Sequence, residues 1–292
     1  MKNSTKTAIF AFATVFIWAS AFPITKIATQ YFDPNGLAFL RCSLASVILL
    51  VIGKFNHIHV PKKKAHIPLF FLSGGLGLTL YVIFFNTGML TLTSATSSLI
   101  IATTPVLTAI GASFIYNEKI RAIGWAAIFG AFAGVAVLLF TDSSKGGLSG
   151  GSGLWWTMGA AIVFCIYNLL NRKFIAMGYT AVESVTWSMV CGAILLLPFA
   201  GNGFSAAAAA PVPALVSMLY LGAMPSATAY LLWSNAMSLA RKTSDVTNFQ
   251  FLTPLLSTAM GFAMLGEVPG LMTIIGGAII IGSLVVFGLK GK

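Results

Sequence analysis

The sequence is poor in charge, in histidine and in cysteine, and each shortage closes a class of function. Only 8% of its 292 residues are charged, about a third of the share in an average soluble chain, which removes most water-soluble readings. The six acidic residues, Asp33, Glu118, Asp142, Glu183, Asp245 and Glu267, fall at the ends of apolar runs or between them. No carboxylate therefore stands in the middle of a run, where a proton relay would need it. His57, His59 and His66 share one basic segment, so no helical zinc-protease motif exists and no Ser/His pair can meet inside an apolar run. His57-x-His59 beside Lys62, Lys63 and Lys64 reads as a solvated loop and not as a metal site. Cys42, Cys165 and Cys191 are odd in number and lie inside apolar runs, which implies small buried residues and no disulfide framework. Neither a cofactor nor a metal is expected.

What the sequence has is apolar length: 58% of its residues are hydrophobic. Runs extend over 8–28, 36–53, 67–88, 94–116, 122–140, 154–172, 182–199, 213–239, 246–265 and 271–288. Each approaches the roughly 20 residues that a spanning helix needs. They are too long and too continuously apolar for barrel strands, and only helices satisfy their own backbone in lipid. An all-α membrane protein of ten transmembrane helices is predicted. Lys2, Lys6 and Ala19-Ser20-Ala21 also resemble a cleavable signal peptide, but removing the first run would leave nine and break the repeat described below.

Charge sign tests the count. With the N-terminus inside, 14 of the 17 Lys and Arg residues fall on one face and only Lys26, Arg41 and Lys145 on the other. The net charge of +11 is thus an orientation signal, with both termini cytoplasmic, and needs no nucleic-acid partner. The partners expected are a small-molecule solute and membrane lipid, with a monomer the favoured state.

Shifted by 149 residues, 81–118 aligns with 230–267 without a gap, matching Tyr81/Tyr230, Asn86/Asn235, Leu90/Leu239, Thr104/Thr253, Pro105/Pro254, Leu107/Leu256 and Glu118/Glu267. The repeat unit holds five spans, so the second copy is inverted relative to the first. The organisation predicted is one five-helix unit over 8–140, a Gly/Ser-rich outer linker over 141–153 and a second unit over 154–288. Ala206–Ala210 with Pro211 and Pro213 reads as the corresponding outer loop of the second unit. Inverted repeats are the architecture of alternating-access carriers, whose site lies near the midplane where the halves meet.

Several residues are candidates for that site. Tyr81, Phe84, Phe85 and Gly88 share one helical face, and Tyr230, Trp233, Ser234 and Met237 make the equivalent face in the second unit. Polar side chains deep in a span need a partner or water, which singles out Trp18 with Ser20, Tyr167 with Asn168 and Asn171, and Asn248 with Gln250. Phe164 shares a face with Tyr167, Asn168 and Asn171, and Phe251 with Asn248. Asn86 and Asn235 point away from their tyrosines, toward interhelical hydrogen bonding. Pro105 and Pro254, at matched mid-span positions, are candidate hinges. Lys26 and Arg41 either contact an anionic solute or snorkel to the headgroups. Gly130 and Gly134, with Gly276, Gly277 and Gly282, favour close helix packing. No catalytic residue is assigned.

Trp18-Ala19-Ser20-Ala21-Phe22, Pro34 followed by Arg41, the pairs Pro105…Glu118 and Pro254…Glu267 and the five-plus-five plan resemble the EamA family of the drug/metabolite transporter superfamily over essentially the whole chain. The resemblance implies a multi-pass carrier of the bacterial inner membrane exporting amino acids or related small metabolites. Its first, third, fourth, sixth, eighth and ninth spans would line a central cavity, with the fifth and tenth at the periphery. A drug, sugar or nucleoside carrier of the same fold is the alternative, with a polytopic membrane enzyme behind it. The second copy has Ser188 near the position of Arg41, so the arginine is not duplicated. The small multidrug antiporters of this superfamily depend on an acidic residue in their first span; 8–28 has none, which argues against antiport of that type.

Overall fold

The computed structural model describes residues 3–61, 63–117, 119–139, 149–240, 246 and 248–291, with the side chains of Asn3, Leu139, Ser149–Gly151 and Asn248 not described. Glu118, Asp142, Asp245, the cations Lys2, Lys62, Lys145, Arg241, Lys242 and Lys292, and residues 141–148 of the expected linker lie outside this set. Among the described residues every regular element is helical.

Among the described residues, seven helices are long and apolar enough to cross a bilayer. They are α1 (Asn3–Ala28), α2 (Pro34–Phe55), α3 (Lys64–Met89), α4 (Ser94–Ile115), α6 (Ser149–Ala176), α9 (Val212–Leu239) and α11 (Leu271–Lys290). A pair, α7 (Ala181–Leu195) and α8 (Leu197–Ala209), is bent by 53° and passes the same test only as one unit. Two shorter apolar helices are α5 (Ala122–Leu139) and α10 (Phe249–Leu265). Large apolar side chains such as Phe55, Phe114, Phe129 and Ile274 face outward, as on a surface made for hydrocarbon.

Local chemistry sets the helix ends. Asp33 caps α2 by accepting from the N–H groups of Asn35 and Gly36 at 3.0 and 2.9 Å, with Pro34 opening the first turn. Thr180 and Glu183 form a reciprocal capping box at the start of α7, satisfying donors that the first turn leaves free. Gly266, at φ +65, closes α10 in a left-handed conformation that glycine adopts without steric penalty.

Three expectations are corrected. The run Ala206–Ala210 is not a low-complexity loop: α8 continues through Ala209, because alanine is the strongest helix former and Gly203 lets the helix lie against Gly36. Helix α6 starts at Ser149, inside the segment read as linker. Pro105 and Pro254 do not kink continuous helices. Each occupies the first turn of a new helical segment, after a turn at 102–103 in α4 and a 3₁₀ stretch at Asn248–Leu252 in α10, where the missing N–H is no loss.

Two further irregularities occupy corresponding places in the aligned halves: α3 widens into a π-helix at Gly75–Leu80, and α9 at Gly222–Thr228 with Pro225 inside. Glycine and proline weaken the ordinary helical ladder at both. Close crossings fix the neighbouring helices. A Cβ on Gly74 would meet the carbonyl oxygen of Ser188 and come within 2.6 Å of the Gly192 nitrogen, so α3 and α7 touch backbone to backbone. On Gly134 it would come within 2.9 Å of the Gly276 oxygen. The glycines of α5 and α11 therefore pack against each other within one chain, in an extensive helix pairing.

Candidate functional site

Helices α1, α2, α3, α4, α6, α9 and α10 surround a narrow, partly enclosed cavity. Its walls are mostly aromatic and aliphatic. Trp18 and Phe22 come from α1, Tyr81, Val82 and Phe85 from α3, Ile101 and Ala102 from α4, Phe164 from α6, and Tyr230 from α9. The rings make a connected cluster: Trp18 packs edge-on to Phe164 and Tyr230 at 5.8 and 5.7 Å, Tyr81 lies 4.8 Å from Phe164, and Phe22 meets Phe85 at 5.1 Å. Offset and edge-on arrangements such as these suit the ring quadrupoles.

The polar groups at the wall are few. The indole N–H of Trp18 donates to the Pro225 carbonyl at 3.2 Å, and the hydroxyl of Tyr230 lies 3.5 Å from the Gly77 oxygen. Both carbonyls belong to the π segments, which release backbone acceptors that a regular helix keeps to itself. Gln250 and Thr253 complete the polar lining; both are buried in the molecule.

Arg41 also reaches this wall. It is 4% exposed, so it does not snorkel. Its Nη1 donates to Asn86 Oδ1 at 3.0 Å and to Thr25 Oγ1 at 3.4 Å, while Nε and Nη2 each lie 3.3 Å from Ser226 Oγ. Asn86 is held in turn by its Nδ2, which donates to the Pro34 carbonyl at 3.0 Å. Asn86 therefore bonds between helices, whereas the Asn235 side chain donates to Leu231 in its own helix.

Lys26 has a different partner. Its Nζ lies 2.7 Å from Glu267 Oε1 and donates to the Leu92 carbonyl at 3.1 Å, and the second carboxylate oxygen of Glu267 accepts from the Ser94 N–H at 2.8 Å. The anion at Lys26 is thus this chain's own carboxylate, seated where the start of α4 favours negative charge. The group ties the end of α1, the start of α4 and the α10–α11 turn at the end of the bundle opposite the N-terminus.

Of the candidates from sequence, the structure brings Trp18, Tyr81, Phe85, Phe164, Tyr230, Gln250 and Arg41 to the cavity. Most of the others face elsewhere. Ser20 pairs with the Tyr220 hydroxyl at 2.6 Å, and Asn171 accepts from Ser184 at 3.0 Å. Tyr167 is buried against Gly77 and Tyr230. Asn168 is half-buried away from the wall. Trp233 packs with Ala11 and Ala236, and Phe251 against the cluster around Leu99 and Val106. The side chain of Asn248 lies outside the described residues. Phe22, Val82, Ala102 and Pro225 escaped the sequence reading, although the clustered Gly74, Gly75 and Gly77 and the Gly222…Pro225 pair mark the π segments that shape the wall. Among the described residues, no three His, Cys, Asp or Glu side chains gather to hold a metal.

The model of the EamA-like transporter family matches the chain twice, over residues 5–140 and 151–289. A probable terminal-alkyne amino-acid exporter of Streptantibioticus cattleyicolor is 29% identical over 266 residues, covering 91% of this chain and 88% of that one. The uncharacterized transporter YdfC of Bacillus subtilis is 27% identical, covering 94% and 88%, and an uncharacterized transporter of Archaeoglobus fulgidus is 29% identical, covering 95% and 96%. One solved crystal structure shares the fold with a TM-score of 0.66 at 18% identity over 99% of both chains.

Proposed function

The chain belongs to the EamA-like transporter family and is a multi-pass inner-membrane protein; from that premise we propose that it exports amino acids or related small metabolites by alternating access. Its helical segments are read as ten spans, with the bent α7–α8 pair as one and the shorter α5 and α10 as two more. The two matched segments, 5–140 and 151–289, are taken as inverted five-helix repeats, with both termini cytoplasmic.

One observation carries the reading: the cavity wall is shared between the two matched segments. Trp18, Arg41, Tyr81 and Phe85 come from the first, and Phe164, Tyr230, Gln250 and Thr253 from the second. A site made half by each repeat changes shape when the repeats rock against each other, as alternating access requires. The Lys26–Glu267 pair also crosses between the segments, and it suits a contact that forms when the outer face closes. The matched π segments and matched helix breaks before Pro105 and Pro254 supply two places in each repeat where a helix bends without losing a regular ladder.

The scarcity of polar groups in the lining favours a solute with an apolar side chain over a sugar, whose hydroxyls would be left unpaired. A relative is named as a probable amino-acid exporter, which points the same way. Profiling metabolites released by cells with and without the protein tests the proposal. Protein-dependent release of amino acids or close derivatives is expected; an unchanged profile, or the appearance of a chemically modified product without net release, would refute it.

A further inference from the structure

Among the described residues, Arg41 is a charge without a counter-charge. Its hydrogen-bond acceptors, Asn86, Thr25 and Ser226, are all neutral. The described carboxylates are occupied elsewhere: Asp33 caps α2, Glu183 caps α7 and Glu267 holds Lys26. Burying a guanidinium with neutral partners alone leaves a large desolvation cost uncompensated, and the arrangement around it is specific. Asn86 is braced by the Pro34 carbonyl and orients the guanidinium, while Ser226 is presented by the π segment of α9. Three of its five N–H groups point to acceptors within 3.3 Å and one more lies at 3.4 Å. One Nη2 N–H is left over, in a group that lines the cavity.

We propose that Arg41 anchors the carboxylate of the transported solute in the aromatic cavity. A planar guanidinium matches a carboxylate in shape and charge, and the weak 3.3–3.4 Å bonds to Ser226 and Thr25 are the ones such a ligand displaces at least cost. Gln250 and Thr253, at the same wall and without a side-chain hydrogen bond among the described residues, are available to a second polar group such as an amine. Trp18, Tyr81, Phe85 and Phe164 form an apolar seat for the remainder. The solute class is therefore a monocarboxylate with an apolar side chain, of which an amino acid is one case. This inference rests on the transport reading, because it makes the cavity the solute's place.

Binding to the purified, detergent-solubilised protein tests it without requiring flux. L-Phenylalanine, phenylacetate and L-phenylalaninol, which replaces the carboxylate by a hydroxymethyl group, are titrated against wild type, Arg41→Gln and Arg41→Lys. Wild type is expected to bind both acids roughly 10- to 100-fold more tightly than the alcohol. Arg41→Gln loses that preference, and Arg41→Lys retains it at reduced strength, which separates a charge effect from a folding defect. Equal binding of acid and alcohol by wild type, no binding of either acid, or an acid preference that survives Arg41→Gln would overturn the proposal. If the acid preference is found but the protein releases no solute from liposomes, the transport reading fails and the anchor stands.

Discussion

Replacing Glu267 by Gln removes one negative charge from the end of the bundle while keeping the side chain's volume. In the structure that carboxylate meets Lys26 at 2.7 Å and the Ser94 N–H at 2.8 Å. Fully exposed ion pairs contribute about 0–1 kcal/mol, and hydrogen bonds to charged groups in buried settings about 1.5–3 kcal/mol. Lys26 is 29% and Glu267 12% exposed, so the pair lies between these cases, at about 1–2 kcal/mol. If it holds the outer face closed, E267Q raises the ratio of outward-open to closed molecules roughly 5- to 30-fold, at about 1.4 kcal/mol per decade. The reporter is Ala21→Cys, a buried cavity position, in a chain whose three native cysteines are changed to Ala, labelled from outside with an impermeant maleimide. Labelling should accelerate by that factor in E267Q and in K26M, and the double variant should be no faster than either single one. The charge swap K26E/E267K restores closure only in part, because it presents an ammonium to the Ser94 N–H. Labelling rates unchanged in both single variants, with folding intact, would refute the gate.

Three further substitutions test the packing and the helix capping. Gly74→Ala puts a methyl group 2.6 Å from the Gly192 nitrogen and against the Ser188 carbonyl, backbone atoms that cannot swing aside. A loss of about 1–3 kcal/mol and a lower yield of monodisperse protein are expected, while Gly201→Ala, which meets no atom within 4 Å, is tolerated; equal behaviour of the two would mean that α3 and α7 do not cross so closely. Thr180→Ala removes the capping box of α7 and should lower stability by about 1 kcal/mol, seen in thermal unfolding, with export unaffected; an unchanged unfolding midpoint would mean that water satisfies the freed donors.

The helical class was legible because apolar length dominates every other signal. The run read as 36–53 became Pro34–Phe55, and that read as 271–288 became Leu271–Lys290. The cavity was legible in part. Tyr81 and Phe85 were found from helical spacing, yet Phe84 on the same inferred face packs on Trp156 at 5.2 Å. Tyr167, three residues from Phe164, turns to Gly77 instead of the cavity. Residues three and four apart share a face only broadly: Phe84 and Phe85 stand about 100° apart around the helix axis, and Phe164 and Tyr167 about 60°, so the neighbouring helices decide which of each pair reaches the cavity. Arg41 was visible as a cation near an apolar run, but its orientation depended on Asn86 and on Ser226, 185 residues away. No local pattern carries such a partner. Glu267 stood in a loop by position alone, and its pairing with Lys26 across 241 residues is a tertiary fact.

The central claim, that solute crosses the membrane through the cavity shared by the two halves, is tested most directly by radiolabelled L-phenylalanine flux in proteoliposomes. Ala102→Leu fills the cavity wall, whereas Phe129→Leu alters a side chain that faces outward. The wild type and Phe129→Leu should show equal saturable flux, and Ala102→Leu little or none at equal reconstitution. Flux through Ala102→Leu as fast as through wild type would place the pathway elsewhere and contradict the account.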